Sequence, residues 1–98
     1  MSNKLRMFIK SVKILNKEIK NEYKAEIIAV FGSYVRGDQK KNSDVDILVK
    51  FFKGATLLNF VGLANFLEEK LKLKIDIIPI DTIRKEIKQQ VLKEAIYL

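Results

Sequence analysis

The spacing of apolar residues predicts three helices in this chain. Residues 4–22 carry an apolar side chain at every third or fourth position with lysines between them, which is typical of an amphipathic helix. A second helix is predicted at about 57–72, with Thr56 as its N-cap residue. A third is predicted at about 82–96, where Asp81 is placed to cap the first turn. Any β-strands of the fold must then lie between these predicted helices.

Three short runs between the helices predict strands, because they are rich in β-branched and aromatic residues. The runs are residues 26–31, 44–52 and 73–80. The first ends at Gly32, and Pro79 in the third indicates a strand end or an edge strand, since proline cannot donate a ladder hydrogen bond. The element order favours an α/β or α+β two-layer fold, with helices flanking a small sheet, as a single domain over residues 1–98.

Composition excludes several classes of protein and of site. Hydrophobic residues make up 48% of the chain and charged residues 32%, which excludes a disordered or low-complexity protein. The absence of cysteine and histidine excludes disulfides, thiolate zinc sites and imidazole ligands or bases. The sequence shows no apolar run long enough for a membrane helix and no signal peptide, so we expect a cytoplasmic protein. Its chemistry must use carboxylates, hydroxyls and cations.

The chain is strongly basic, with a net charge of +7 from 19 Lys and Arg against 12 Asp and Glu. Such an excess favours polyanionic partners, among them nucleotides and nucleic acids. The lysines are spread along the chain, and the sequence shows no cluster of aromatic and basic residues. A solvated basic surface is therefore the simpler interpretation, and nucleic acid is the less favoured partner.

Asp44 and Asp46 are the strongest candidates for chemistry. They lie two residues apart in a predicted strand, so both point to one face while Val45 and Ile47 point to the other. Two such carboxylates repel unless a cation lies between them, and an all-oxygen site suits Mg²⁺ or Mn²⁺. Asp76, in the third predicted strand, would join the pair if that strand were a neighbour. Taken alone, Asp76 is better explained by pairing with a lysine.

The segment that begins at Gly32 is a candidate phosphate site, because it directly follows the first predicted strand. Gly32 permits a tight turn, and a helical turn over residues 33–36 would direct free N–H groups and the Ser33 hydroxyl at an anion. Arg36 could reach the same anion. Residues 38–42 are all polar, and taken alone the segment is better explained as a simple loop.

Together these segments resemble the signature of the minimal nucleotidyltransferases, the smallest members of the DNA polymerase β-like nucleotidyltransferase superfamily. The matching residues are Gly32-Ser33-x-x-Arg36-Gly37, followed after five residues by Ser43-Asp44-x-Asp46-Ile47. Asp76 matches the third carboxylate of the superfamily. The resemblance covers nearly the whole chain, and the one mild departure, Tyr34-Val35, affects no catalytic position. It implies the minimal polymerase β-like fold with a small mixed sheet.

The resemblance also implies how the site is built. Two Mg²⁺ ions, or Mn²⁺ in their place, would act on ATP or another NTP. The metal-binding and catalytic residues would be Asp44, Asp46 and Asp76. The nucleotide-binding residues would be Gly32, Ser33, Arg36 and Ser43, the last of which more simply orients the loop or the neighbouring aspartate.

Members of this family are often encoded beside a HEPN-domain protein, a helical ribonuclease toxin, and some attach AMP to a tyrosine of that toxin. The resemblance therefore implies an enzyme that transfers AMP from ATP to a HEPN tyrosine and acts as a type VII-like antitoxin. Two alternatives stay open. The chain could neutralise a partner by contact, with an idle metal site, or it could be an RNA-modifying nucleotidyltransferase.

The second predicted helix suggests where a partner docks. Its apolar residues between Leu57 and Leu67 surround the helix axis, and the adjacent Phe51 and Phe52 cannot both point to one face of a strand. A helix that is apolar on all sides is either deeply buried or covered by a partner. We expect a HEPN protein or a second copy of the chain to cover this region, with burial in the core as an equally good alternative.

Overall fold

The structure is a computed structural model and describes residues 3–32, 35 and 44–98. Within these residues it contains three α-helices, four strands and one 3₁₀ turn. In chain order they are α1 (Asn3–Tyr23), β1 (Ala25–Phe31), β2 (Val45–Phe51), α2 (Leu57–Leu71), β3 (Ile75–Pro79), the 3₁₀ turn (Ile80–Thr82), α3 (Lys85–Glu94) and β4 (Ile96–Tyr97).

The strands form a mixed sheet in the order β3-β2-β1-β4, which confirms the predicted mixed sheet flanked by helices. β1 runs antiparallel to β2 and to β4, whereas β2 and β3 are parallel. Parallel neighbours need a crossover connection, and α2 supplies it. β3 is thereby an edge strand, and Pro79 is its last residue, as its lack of an N–H predicts.

The hydrophobic core lies between one face of the sheet and the helices α1 and α2. Val12 and Ile19 of α1 are fully buried in it, as are Val45 and Ile47 of β2. On the opposite face the cross-strand partners Ala29 and Leu48 are also fully buried. The 3₁₀ turn and α3 border this second face, so the helices flank both sides of the sheet. In the described residues no helix is long and apolar enough to cross a membrane.

The apolar residues of α2 divide into a buried and an exposed set. Leu63 and Leu67 are fully buried in the core, whereas Leu57, Leu58 and Val61 are 76%, 83% and 49% exposed. The helix begins after Thr56, as predicted, and the Thr56 N–H donates to Asn59 Oδ1 over 2.8 Å. The first two turns of α2 therefore present an apolar patch, which we call the α2 patch (Leu57, Leu58, Val61).

The predicted helix over 82–96 is wrong at its start. Thr82 Oγ1 donates to the Pro79 carbonyl over 2.8 Å, which closes the 3₁₀ turn. The two residues after the turn are extended, so α3 begins only at Lys85, with Arg84 as its N-cap residue. Asp81 lies inside the 3₁₀ turn and does not cap a helix.

The same prediction is also wrong at its end, because Ile96 and Tyr97 form β4 and pair with Val30 and Ala29 of β1. The Leu98 N–H continues this ladder by donating to the Ile28 carbonyl over 3.0 Å. The apolar spacing of the helix runs on into this segment, so periodicity alone cannot separate the two. The open edge of β1 decides the outcome.

Asn16 of α1 completes the sheet edge where β4 does not reach. Its Oδ1 accepts the Ile27 N–H over 3.0 Å, and its Nδ2 donates to the Ile27 carbonyl over 3.3 Å. β4 pairs only with residues 29 and 30 of β1, so the outward backbone groups of Ile27 depend on this side chain.

We expect Asn16→Ala to lower the free energy of unfolding by about 1–3 kcal/mol, because it leaves two partly buried backbone groups without their partner. Chemical denaturation followed by circular dichroism measures this change. Asn21→Ala is the matched control, since Asn21 is an exposed residue of the same helix. Equal destabilisation by the two substitutions would contradict this role.

Candidate active site

Two of the predicted catalytic carboxylates lie side by side because β2 and β3 pair in parallel. Asp46 of β2 is the direct register partner of Asp76 of β3. The neighbours Val45 and Ile47 point into the core and are fully buried, so both carboxylates belong to the opposite face. Asp46 is half-buried and Asp76 is exposed. The fold thus joins two acidic residues that are thirty positions apart in the sequence.

Asp44 lies immediately before β2 rather than inside the strand, and it is exposed. The predicted strand over 44–52 was therefore one residue too long at its start. The Val45 N–H donates to the Lys74 carbonyl over 2.8 Å, which fixes the first rung of the parallel ladder beside Asp44. The chain consequently enters β2 at the end of the sheet where Asp46 and Asp76 lie.

Glu68 of α2 holds the start of the strand that carries Asp76. Its Oε2 accepts the Ile75 N–H over 3.1 Å, one residue before Asp76. The C-terminal end of α2 thereby anchors the edge strand to the core layer. Sequence reasoning missed this contact, because an acidic residue on the polar side of a helix carries no signal of a partner seven residues away.

Gly32 and Asp46 are in direct contact, which ties the end of β1 to the carboxylate pair. Gly32 has φ +85°, a left-handed conformation that favours glycine. A Cβ built on it would overlap Oδ2 of Asp46. Any side chain at position 32 would therefore displace the carboxylate. Position 32 requires glycine for two independent reasons, the positive φ and the contact with Asp46.

Val35 is the described residue that follows Gly32 in the candidate phosphate segment. The Val35 N–H donates to the Gly32 carbonyl over 3.1 Å, which holds Val35 close to the end of β1. The predicted nucleotide-binding residues Ser33, Arg36 and Ser43 lie outside the described residues.

The carboxylates fit a hard divalent cation by their chemistry, since hard cations prefer oxygen ligands. Asp46 and Asp76 are adjacent across the ladder, and the missing side chain at Gly32 leaves the space that the Asp46 carboxylate occupies. Among residues 3–32, 35 and 44–98, however, no group of three acidic or other ligating side chains is close enough to hold one metal ion. The structure thus brings together Asp46 and Asp76 but does not gather all three predicted ligands around one point.

An apolar cavity of about 340 Å³ adjoins the carboxylate pair on the same face of the sheet. Phe31 is the cross-strand partner of Asp46, and Ile78 is two residues beyond Asp76, so both side chains share the face of the carboxylates. The remaining lining comes from Thr82, Ile83, Arg84 and Val91. This recess offers apolar walls and one guanidinium group beside the acidic residues, a setting that suits a ring system carrying an anionic group.

The model of the nucleotidyltransferase domain family matches residues 12–98 of this chain. The chain belongs to this family. The match spans the three aspartates and the turn at Gly32, and it confirms the resemblance that the motifs carried.

Individual relatives agree with the family assignment. This nucleotidyltransferase domain is 42% identical over 82 residues to the protein adenylyltransferase MntA of Thermococcus cleftensis, covering 84% of this chain and 83% of that protein. It is also similar to a solved structure of a candidate minimal nucleotidyltransferase, with a TM-score of 0.77, 36% identity, and coverage of 97% and 93% of the two chains.

A toxin–antitoxin structure with AMP-PNP contains a chain of the same fold, with a TM-score of 0.67 and 27% identity. The match covers 89% of this nucleotidyltransferase domain and 70% of that chain. The fold described above is therefore found in a chain of a toxin–antitoxin structure.

Proposed function

We propose that this chain transfers AMP from ATP to a tyrosine hydroxyl of a HEPN-type toxin and thereby acts as its antitoxin. The observation that carries the proposal is the direct pairing of Asp46 with Asp76, with Gly32 pressed against the Asp46 carboxylate. The similarity to a protein adenylyltransferase supports the choice of AMP and of a protein acceptor. The toxin–antitoxin structure with AMP-PNP, an ATP analogue, supports the choice of nucleotide and partner.

The reaction is a displacement at the α-phosphorus of ATP. The acceptor oxygen forms a bond to this phosphorus, the bond to the β-phosphate oxygen breaks, and pyrophosphate leaves. The products are a tyrosine–AMP phosphodiester and pyrophosphate, and the hydroxyl proton passes to a base. Asp44, Asp46 and Asp76 are the residues that would hold Mg²⁺, which would neutralise charge on the transferring and leaving phosphates.

The exposed carboxylate of Asp76 is assigned to the acceptor side of the site. It lies on the edge strand, where a hydroxyl from another molecule can approach without crossing the sheet. In this position it can accept the hydroxyl proton as the oxygen attacks. Asp46, which is half-buried and packed against Gly32, is assigned to the nucleotide side.

The nucleotide phosphates are assigned to the turn after β1. Gly32 allows the backbone to approach the triphosphate closely, and Ser33 and Arg36 follow it in the matching motif. Ser43, which precedes Asp44, is assigned to orienting the entry into β2. These roles rest on the motif and on the place of Gly32.

The α2 patch is the surface that we assign to the toxin. Leu57, Leu58 and Val61 expose apolar side chains on adjacent turns of one helix. Contiguous exposed apolar surface is typical of protein interaction sites. Phe60, the sequence neighbour of Val61, stacks its ring on that of Phe51, with the two centroids 5.7 Å apart.

We expect the chain, mixed with its HEPN partner, ATP and Mg²⁺, to add the mass of AMP to one or more partner tyrosines, as measured by intact mass spectrometry. Replacement of the modified tyrosine by phenylalanine should remove the added mass, because phenylalanine has no acceptor hydroxyl. Addition of nucleotides to free RNA, with an unmodified partner, would reject the proposal and favour an RNA-modifying enzyme.

A second candidate function is neutralisation of the toxin by contact alone. One observation favours it, namely that no three ligating side chains of the described residues are grouped closely enough for a metal ion. Under this hypothesis the chain would inhibit toxin activity without ATP, and the Asp46→Asn variant would inhibit it equally well. Under the proposed function, inhibition should require ATP and an intact Asp46.

A further inference from the structure

The cations of α1 are concentrated on one side of the helix. Five of its six basic residues follow the spacing i, i+4, i+7, i+11, i+14, which places them within one narrow stripe. We call this set the α1 stripe (Arg6, Lys10, Lys13, Lys17, Lys20), and all five residues are exposed. At a rise of about 1.5 Å per residue the stripe is about 21 Å long.

The α1 stripe borders the β4 edge of the sheet, whereas Asp76 lies on β3 at the opposite edge. Arg6, Lys10 and Lys13 line a groove of about 350 Å³ together with Ile9 and with Ile96 and Tyr97 of β4. Further along the stripe, Lys20 lies 3.7 Å from Glu26 of β1, in an ion pair that is largely exposed. The groove therefore has an aliphatic floor and a cationic rim.

Tyr97 adds an aromatic face to this basic groove. Its side chain is 52% exposed, although its hydroxyl donates to the Leu92 carbonyl of α3 over 2.9 Å. The hydrogen bond fixes the ring at its polar end while leaving ring surface open to solvent. A fixed and exposed ring beside lysines is the arrangement with which proteins stack a nucleic-acid base.

We propose that the α1 stripe and Tyr97 form a binding site for single-stranded nucleic acid. A row of exposed cations follows a phosphate backbone without reading its sequence, and the aromatic ring stacks on an unpaired base. The sequence separates these elements by more than seventy residues, so no aromatic and basic cluster is visible before the fold brings β4 beside α1. The proposal uses none of the catalytic carboxylates and is independent of the proposed transfer reaction.

The cations of the α1 stripe alone would also suit an acidic protein as the ligand, but the exposed ring of Tyr97 favours nucleic acid. An acidic peptide gains little from an open aromatic face, whereas each stacked base gains affinity from it. Single strands are favoured over duplexes because only an unpaired base can place its face against Tyr97.

Fluorescence anisotropy with a labelled oligouridine of about 12 nucleotides, a length within the usual range of single-strand sites, tests the proposal. The measurement is made in EDTA and without ATP, so that the metal-dependent site is silent. With four to five phosphate contacts we expect the logarithm of the affinity to fall with the logarithm of salt concentration at a slope of about −3. Deoxyoligonucleotides of equal length and a duplex of the same sequence serve as further probes.

Lys10→Glu with Lys13→Glu should weaken binding by at least about tenfold and flatten the salt slope, because both charges contact phosphates. The double variant Lys53→Glu and Lys88→Glu is the matched control. It changes the net charge by the same amount, and both residues are exposed and do not line the groove. Tyr97→Leu should weaken binding about tenfold, whereas Tyr97→Phe, which keeps the ring, should bind nearly as well as the unmodified chain.

Three results would overturn the proposal. The first is equal weakening by the two double variants, which would indicate a non-specific effect of net charge. The second is equal affinity of Tyr97→Leu and Tyr97→Phe, or tighter binding of the duplex, which would exclude stacking. The third is binding of polyglutamate with no binding of either oligonucleotide, which would assign the groove to an acidic protein.

Discussion

Asp46→Asn should abolish AMP transfer, with a loss of at least about a hundredfold, while the fold is retained. The substitution keeps the shape of the side chain and removes the charge that the metal requires, and metal ions contribute several kcal/mol to such transition states. Asp46 is half-buried at a sheet position whose neighbours Val45 and Ile47 are fully buried, so the core holds the backbone that carries this carboxylate. Transfer is measured by the radioactive AMP that is incorporated into the partner.

Asp81→Asn provides the matched control for this prediction. It removes the same charge from an exposed residue of the 3₁₀ turn and should leave transfer unchanged. Thermal unfolding of both variants should remain cooperative. Full transfer by Asp46→Asn would remove the carboxylate pair from the mechanism, and equal losses in the two variants would indicate that net charge matters more than position.

Sequence reasoning placed Asp46 on the face of its strand away from the core, because strand periodicity is a short-range property. The alternation of Val45, Asp46 and Ile47 fixes which side chains face the core before any partner strand is known. The pairing of Asp46 with Asp76 was conditional, since it depends on which strands are neighbours and in which register. The crossover through α2 and the hydrogen bond that anchors Ile75 set both the neighbouring strand and its register. Local sequence patterns encode neither of them.

Gly32→Ala should lose at least about a hundredfold of the transfer activity and also destabilise the fold. The backbone strain of a Cβ at φ +85° costs about 1–2 kcal/mol. In addition, the new Cβ would occupy the space of Asp46 Oδ2, so the carboxylate must turn away from its position beside Asp76. Displacements of about 1 Å at a reacting centre are sufficient for losses of this size.

Gly54→Ala is the control that separates the backbone strain of Gly32→Ala from its displacement of the Asp46 carboxylate. Gly54 also has a positive φ, at +91°, but the nearest atom to a Cβ placed there is the mobile Lys24 Nζ at 3.5 Å. We expect Gly54→Ala to lower the melting temperature to a similar extent and to keep full transfer activity. If the Gly32→Ala variant transferred AMP as fast as the Gly54→Ala variant, the contact between Gly32 and Asp46 would have no catalytic importance.

The larger errors of sequence reasoning lie at the C-terminal end of the chain, where two structures compete for the same residues. The apolar positions that continue from α3 to Ile96 suit a helix as well as a strand, and only the open edge of β1 favours the strand. The same event places Tyr97 beside α1. A two-residue strand is too short to carry a periodic signal, so neither β4 nor the groove next to it could be predicted from local patterns.

Because β3 is an edge strand, we expect its local unfolding to cost less free energy than unfolding of the whole domain. Asp76 is held by a five-residue strand with one hydrogen-bonded neighbour, a carboxylate contact at Ile75 and a proline at its end. Such strands separate from a sheet in local unfolding events that leave the remaining core intact. Heating should therefore disconnect Asp76 from Asp46 first, and the enzyme should lose its activity reversibly at temperatures where α1, β1 and β2 are still folded.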